Sequence, residues 1–255
     1  MQKMKKILNI RYAVVSIILL LAVWEIAFLL SDYSSALFPS PLMAFKALGE
    51  MVVSGQLWES ILTSMRRFLI GYGLSVLAAV LLGLLLGCFG EIFKYINPLL
   101  QVLRPISPTA WMPFVVLLVG IGDLPAIVII FIAAFFPVLL TTASAVGKID
   151  PIYFRVSRNF GIRQPALLWK VILPAIFPSI ANAMHVSLGS AWIFLVAGEM
   201  VGAQSGLGYQ IIDARNNVRA DYLLATILVI GLIGLFLDFV IGRVEKRINK
   251  AWGGE

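Results

Sequence analysis

The sequence predicts an all-α integral membrane protein with six transmembrane helices, both termini cytoplasmic, and a helix–turn–helix between the fourth and fifth spans. Three observations predict it. Of the 255 residues, 60% are hydrophobic and only 13% charged, against about 25% charged in an average soluble domain. Six apolar runs are long enough to cross a bilayer, which takes about 20 residues at 1.5 Å each. The Lys and Arg residues gather in alternate loops. A water-soluble globule could not hide this much apolar side chain, which excludes a soluble enzyme, a disordered chain and a nucleic-acid-binding domain. The net charge of +7, from 20 Lys and Arg against 13 Asp and Glu, then reports basic cytoplasmic loops.

The elements follow in order. Met1 to Lys6 is basic and precedes an apolar run, as at the start of a signal peptide. The run Tyr12–Leu30 is nevertheless long enough to span and lacks a small-residue cleavage site, so it reads as a retained first helix. In the outer segment Ser31–Arg66, Ser40 caps and Pro41 opens an amphipathic helix. There Leu42, Phe45, Leu48 and Val52 recur at helical spacing, which places it in the membrane interface. The second span is Phe68–Phe89. The third, Pro98–Gly120, holds Pro98, Pro105, Pro108 and Pro113 as well as Arg104 and Ser107. Each interior Pro removes a backbone hydrogen bond, and lipid cannot satisfy the freed carbonyls. A helix broken there must face protein or a wet path, or else be a purely structural kink. The fourth span is Leu124–Val146, with Asp123 as N-cap and Pro125 in the first turn. The fifth is Ser179–Val201 and the sixth Tyr222–Gly242.

Loop charges set the orientation. Lys3, Lys5, Lys6, Arg11, Lys94, Lys148, Arg155, Arg158, Arg163, Lys170, Arg243, Lys246, Arg247 and Lys250 fall on one side, fourteen in all. The other side holds five, Lys46, Arg66, Arg67, Arg215 and Arg219, with Arg104 left aside because it falls inside the third span. Both termini are therefore cytoplasmic, with Arg66 and Arg67 expected to snorkel toward headgroups.

The loop 147–178 carries the most information. Asp150 and Pro151 start a helix, and Gly161 stops it. On a 100° wheel Ile152, Val156 and Phe160 fall together with Tyr153 beside them, and Arg155, Arg158 and Asn159 lie opposite. Gln164 and Pro165 start a second short helix, Pro165–Leu173, that Pro174 ends. The apolar stripe requires a cover: the membrane surface, the chain's own spans, or a groove on a soluble partner.

This loop resembles the cytoplasmic signature of permease subunits of bacterial ABC importers: Glu-Ala-Ala, three residues, Gly, nine residues, Ile, one residue, Leu-Pro. Here Gly161 is followed after nine residues by Val171, then Ile172, Leu173 and Pro174. Arg155-Val156-Ser157 stand where Glu-Ala-Ala is usual, a charge reversal at Arg155. LFPSP (Leu37–Pro41), SGQLW (Ser54–Trp58), SPTAWMPFVVLLVGIGD (Ser107–Asp123) and AWIFLVAGEMVGAQSGLGYQIIDARN (Ala191–Asn216) resemble the nitrate/sulfonate/taurine/bicarbonate branch. The resemblance runs from about Trp24 to Arg247. It implies one permease domain in the bacterial inner membrane, moving a small anion into the cytoplasm by alternating access. The partners it implies are a second copy of the chain, two cytoplasmic ATP-binding subunits and an extracytoplasmic solute-binding protein. It makes the loop a coupling element, with Ile152, Arg155, Val156, Phe160, Gly161, Val171, Leu173 and Pro174 meeting the ATPase.

Residues that could meet the solute are Arg104, Ser107, Thr109, Trp111, Trp192 and Glu199. Arg104 could attract an anion or snorkel, and Ser107 and Thr109 offer hydroxyls at the break. Trp111, Trp192 and Phe194 line a path or simply pack. Glu199 is a gate, or a structural partner of an Arg. Asp238 is expected to pair with Arg243, and Gly206-Leu207-Gly208 to form a tight turn. No Gly-x-x-x-x-Gly-Lys-Ser/Thr loop occurs, so ATP is expected on a separate subunit, and the chain needs no cofactor and has no catalytic site of its own. With Cys88 the only cysteine and His185 the only histidine, no metal site is expected. An alternative is a small ion-coupled secondary transporter, for which Glu25 is the one mid-span carboxylate. An intramembrane enzyme would have to use His185, and a non-transporting scaffold would tolerate bulky changes along the third span.

Overall fold

Every regular element among the described residues is a helix. The computed structural model describes residues 2–162 and 165–251; Arg163 and Gln164, both used above, lie outside the described residues. Four helices are long and apolar enough to cross a membrane: Gln56–Cys88, Asp123–Gly147, Leu168–Gly202 and Ala220–Ile248. A bent pair, Gly90–Leu103 with Pro108–Val119, makes a fifth if taken as one span. The helices group into two compact units, one comprising the chain through Glu59 with Gln210–Ile230, the other Ser60–Tyr209 with the chain from Gly231.

In the first unit, α1 (Gln2–Leu30) contains the shorter apolar stretch Val14–Leu30. The Trp24 indole donates to the Pro39 carbonyl at 3.1 Å and ties down the connection to α2 (Pro41–Val53). Ser40 caps α2 as its sequence predicts, its Oγ accepting from the Met43 N–H at 3.3 Å. The buried face of α2 is Ala44, Ala47 and Met51, while Leu42, Phe45 and Val52 point outward. The unit also holds residues 210–230. There Gln210 Nε2 donates to the Gln56 carbonyl at 3.2 Å, and the Tyr222 hydroxyl reaches Glu50 at 3.0 Å.

The second unit is built on α3 (Gln56–Cys88, from Ser60 on), α6 (Asp123–Gly147) and α8 (Leu173–Gly202). One stripe of α3 is small or polar at helical spacing: Ser64, Ser75, Ala79, Gly83 and Gly87. It lets α6 approach closely. A Cβ on Gly83 would fall 2.7 Å from Thr142 Cβ, and one on Gly87 2.5 Å from Val146 Cβ. Ser75 Oγ donates to the Phe131 carbonyl of α6 at 2.9 Å and the Tyr72 hydroxyl to the Met184 carbonyl of α8 at 2.6 Å, so these polar groups of α3 are satisfied. A core of Leu84, Val146, Ile172, Ile176 and Ile180 lies below.

The third span is broken, and it starts earlier than its prolines predict. Here α4 (Gly90–Leu103) carries Pro98 in its interior, a short 3-10 turn covers Pro108–Trp111, and α5 (Met112–Val119) follows. The two halves meet at 84°. α4 ends at Leu103; Arg104 keeps helical backbone in front of Pro105, and it is Ser107, extended before Pro108 at φ −57° and ψ 132°, that separates the two helical runs.

Two boundaries correct the sequence reading. Asp123 does not cap α6; Gly122, at φ +145°, holds that position, and the Asp123 carboxylate binds arginines instead. Pro174 does not end a helix. The chain passes through a π-turn at Leu168–Ile172, in which the Leu173 N–H reaches Leu168 O, and continues into α8 with Pro174 in its first turn. The wider π-turn moves the preceding carbonyls away from the proline ring, so the clash that normally stops a helix does not arise. The loop helix α7 (Pro151–Asn159) and the later α9 (Leu207–Asn216) and α10 (Ala220–Ala251) complete the chain.

Candidate functional site

α7 forms because its ends are written into its sequence. Asp150 Oδ1 accepts from the Ile152 N–H at 2.8 Å and Pro151 sets the first turn. At the other end Gly161 adopts φ +71°, a conformation a side chain disfavours. The Ile162 N–H then closes on Ser157 O at 2.9 Å.

The packing of α7 decides which face is free. Phe154 inserts against the core of Leu84, Val146 and Ile176, and Ser157 is buried beside it, its hydroxyl bonded to Tyr153 O at 2.7 Å. The stripe picked out by the wheel lies on the opposite side. Ile152 and Phe160 are 56% and 78% exposed, and Tyr153 and Val156 are exposed with them. This stripe is therefore not packed on the chain's own spans. With Val171 and Pro174 it lines a groove of about 1080 Å³. Arg155 is exposed, and Leu173 packs on the core beside the groove.

The residues proposed for the solute path separate into two groups. Ser107 and Thr109 sit exposed at the break, their hydroxyls 2.8 Å apart. Arg104 ends α4 and lines an open cavity of about 620 Å³ between α4, α6 and α8. Trp111 packs beside Met112, Val115 and Ile129, and Phe194 joins the same cluster. Trp192 is buried, its ring edge-on to Phe68 at 5.6 Å.

Glu199 is fully buried, and its partners were not visible in the sequence. It pairs with Arg67, which is 1% exposed, at 2.7 Å. Ser64 Oγ donates to the same carboxylate at 2.8 Å and the Gly208 N–H at 2.9 Å. Arg67 further donates to Asp123 Oδ1 at 2.8 Å from Nε, to the Ser205 carbonyl at 2.7 Å and to Ser205 Oγ at 2.7 Å. Arg67 thus does not snorkel; only Arg66, also paired with Asp123, stays exposed. A buried arginine is tolerable only with this degree of satisfaction. The network joins α3, α6, α8 and the turn before α9. Gly206 in that turn has φ +99°, and a Cβ there would lie 2.4 Å from Glu199 Oε1. One sequence signal pointed here: Ser64 and Arg67 are one turn apart on the small-residue face of α3.

Asp238 does not pair with Arg243. It meets His185 Nε2 at 3.0 Å, while His185 Nδ1 meets Glu245 at 2.5 Å and the Arg243 guanidinium lies 4.1 Å over the Phe239 ring. Ser187 is buried and donates to Met184 O rather than to His185, so the two do not form a nucleophile–base pair.

Residues 75–250 match the family of binding-protein-dependent transport system inner membrane components. The chain is 32% identical over 194 residues to the nitrate import permease protein NrtB of Leptolyngbya laminosa, covering 76% of this chain and 69% of that one. It is 28% identical over 243 residues to the taurine transport system permease protein TauC of Escherichia coli, covering 92% and 87%. A Bacillus subtilis permease protein named for aliphatic sulfonates transport, SsuC, is 30% identical over 231 residues, covering 91% and 84%. Among solved structures, the inward-facing MetNI methionine ABC transporter shares the fold, with a TM-score of 0.60 at 19% identity over 78% of this chain and 98% of that one.

Proposed function

The chain belongs to the family of binding-protein-dependent transport system inner membrane components, and from that premise we propose that it imports a small anion by alternating access, driven by separate ATPase subunits. It is a multi-pass ABC transporter permease of the sulfonate, taurine and nitrate branch. The anion itself is of the nitrate, sulfonate, taurine or bicarbonate type. The working assembly is two copies of the chain, two cytoplasmic ATP-binding subunits and an extracytoplasmic solute-binding protein. The chain spans six times, with Tyr12–Leu30 as the first span, the α4–α5 pair as the third, and both termini cytoplasmic.

The observation that carries the ATP-driven reading is the free face of α7. Ile152, Val156 and Phe160 stand exposed on a capped helix whose other face is anchored by Phe154. Covering each such side chain is worth about 1.5–3 kcal/mol, enough for three of them to seat the helix in a partner's groove. As the two ATPases close, α7 moves with them. Phe154 passes that movement to α6 and α8, the helices packed on the broken third span, and the cavity changes sides. Val156→Asp or Gly161→Asp is expected to abolish ATP-driven uptake while the protein still inserts. Normal uptake by either variant would overturn the coupling role.

A further inference from the structure

The open cavity between α4, α6 and α8 has apolar walls from Phe93, Pro137 and Leu140 and carries two exposed cations, Arg104 and Lys148. Its polar lining is Asn97, Gln101, Arg104, Thr141, Lys148 and Asn182, with Ser144 and Ser179, and no Asp or Glu is among its lining residues. Arg104 and Lys148 form no ion pair with any described residue. Asp150, near Lys148 in sequence, spends Oδ1 on the Ile152 N–H. Both cations sit at helix C-termini, Arg104 closing α4 and Lys148 closing α6. Each helix end contributes only about half a negative charge, so two full cations leave the cavity positive. The amides and hydroxyls add donors suited to oxyanion oxygens.

We propose that this cavity is an anion-holding site, with Arg104 and Lys148 as its charged groups and Asn97, Gln101 and Asn182 as its neutral donors. Lys148 also lines the groove along α7, so the positive charge offered to the anion is tied to the position of the coupling helix. The direction of travel through this site rests on the importer reading; its preference for anions does not.

The test places a reporter thiol in the cavity. Ser144→Cys, one turn from Lys148, is made in a Cys88→Ala background, and the full chain is placed in lipid nanodiscs without nucleotide or partner. The thiol is reacted in parallel with an anionic (sulfonatoethyl) and a cationic (trimethylammonioethyl) methanethiosulfonate, each rate divided by that for a free thiol. The anionic reagent is expected to be favoured roughly tenfold. Arg104→Gln with Lys148→Gln returns the ratio to the free-thiol value, and added nitrate or methanesulfonate slows the anionic reaction in the parent only. A parent ratio at the free-thiol value, a ratio unmoved by removing both cations, or no reaction with either reagent would overturn the site. Because no ATP is involved, its failure is separable from failure of the Val156→Asp uptake test.

Discussion

Replacing Glu199 by Gln tests whether the Arg67 network holds the helices and the turn before α9 together. Glu199 is 0% exposed and accepts from Arg67, Ser64 and Gly208. A glutamine keeps one acceptor oxygen but turns an NH2 toward groups that are themselves donors, and it leaves Arg67 short of one buried counter-charge. Breaking a buried pair from one side costs about 3–5 kcal/mol. Asp123, 39% exposed, still holds Nε and Nη2 of Arg67, so the lower end applies, about 3 kcal/mol. For a chain of this size that corresponds to a fall in Tm of about 6–12 °C. Cys88 is the only cysteine and is half-buried at the end of α3, so the rise in its labelling by a thiol-reactive dye on heating, above the rate in the folded chain, reports unfolding. The double variant Arg67→Met with Glu199→Leu removes both charges and leaves neither stranded. It is expected to lose at least about 2 kcal/mol less than the sum of Arg67→Met and Glu199→Leu made singly. Strict additivity, or a Glu199→Gln protein as stable as the parent, would refute the reasoning.

Other outcomes follow from the same geometry. Gly206→Ala adds a Cβ 2.4 Å from Glu199 Oε1 at a positive φ and is expected to cost about 2–4 kcal/mol, read by the same thermal assay, whereas Gly49→Ala, with open space around it, leaves Tm within about 2 °C. Phe154→Ala leaves the exposed stripe of α7 intact but removes its anchor, so the ATPase subunits are expected still to bind while solute moved per ATP hydrolysed falls several-fold. Asp150→Ala removes the cap of α7 and is expected to cost that helix about 1 kcal/mol, seen as faster amide hydrogen exchange at Ile152 and Tyr153.

Local features were legible in the sequence, and long-range ones were not. The start of α7 at Asp150 and Pro151 and its stop at Gly161 depend on residues within a few positions of each other, and the structure has them as expected. The break in the third span follows from Pro108, which holds Ser107 extended, although the interior position of Pro98 hid its true start at Gly90. Arg67 and Glu199 lie 132 positions apart, so nothing local said that they meet, and Arg67 read as a snorkelling surface residue. Asp238 had a nearby basic residue in Arg243, but the helix α10 turns it toward His185. The wheel found the apolar stripe of α7 correctly but could not say that Phe154, off that stripe, is the residue that faces the core.

Whether this chain works with separate ATPase subunits is read from the native mass of the full chain, gently solubilised from its own host. Two copies of the chain with two copies of a soluble, ATP-hydrolysing subunit are expected, and loss of those subunits in Val156→Asp. A chain that stays free of any ATP-hydrolysing subunit, with or without nucleotide, would contradict the ATP-driven reading.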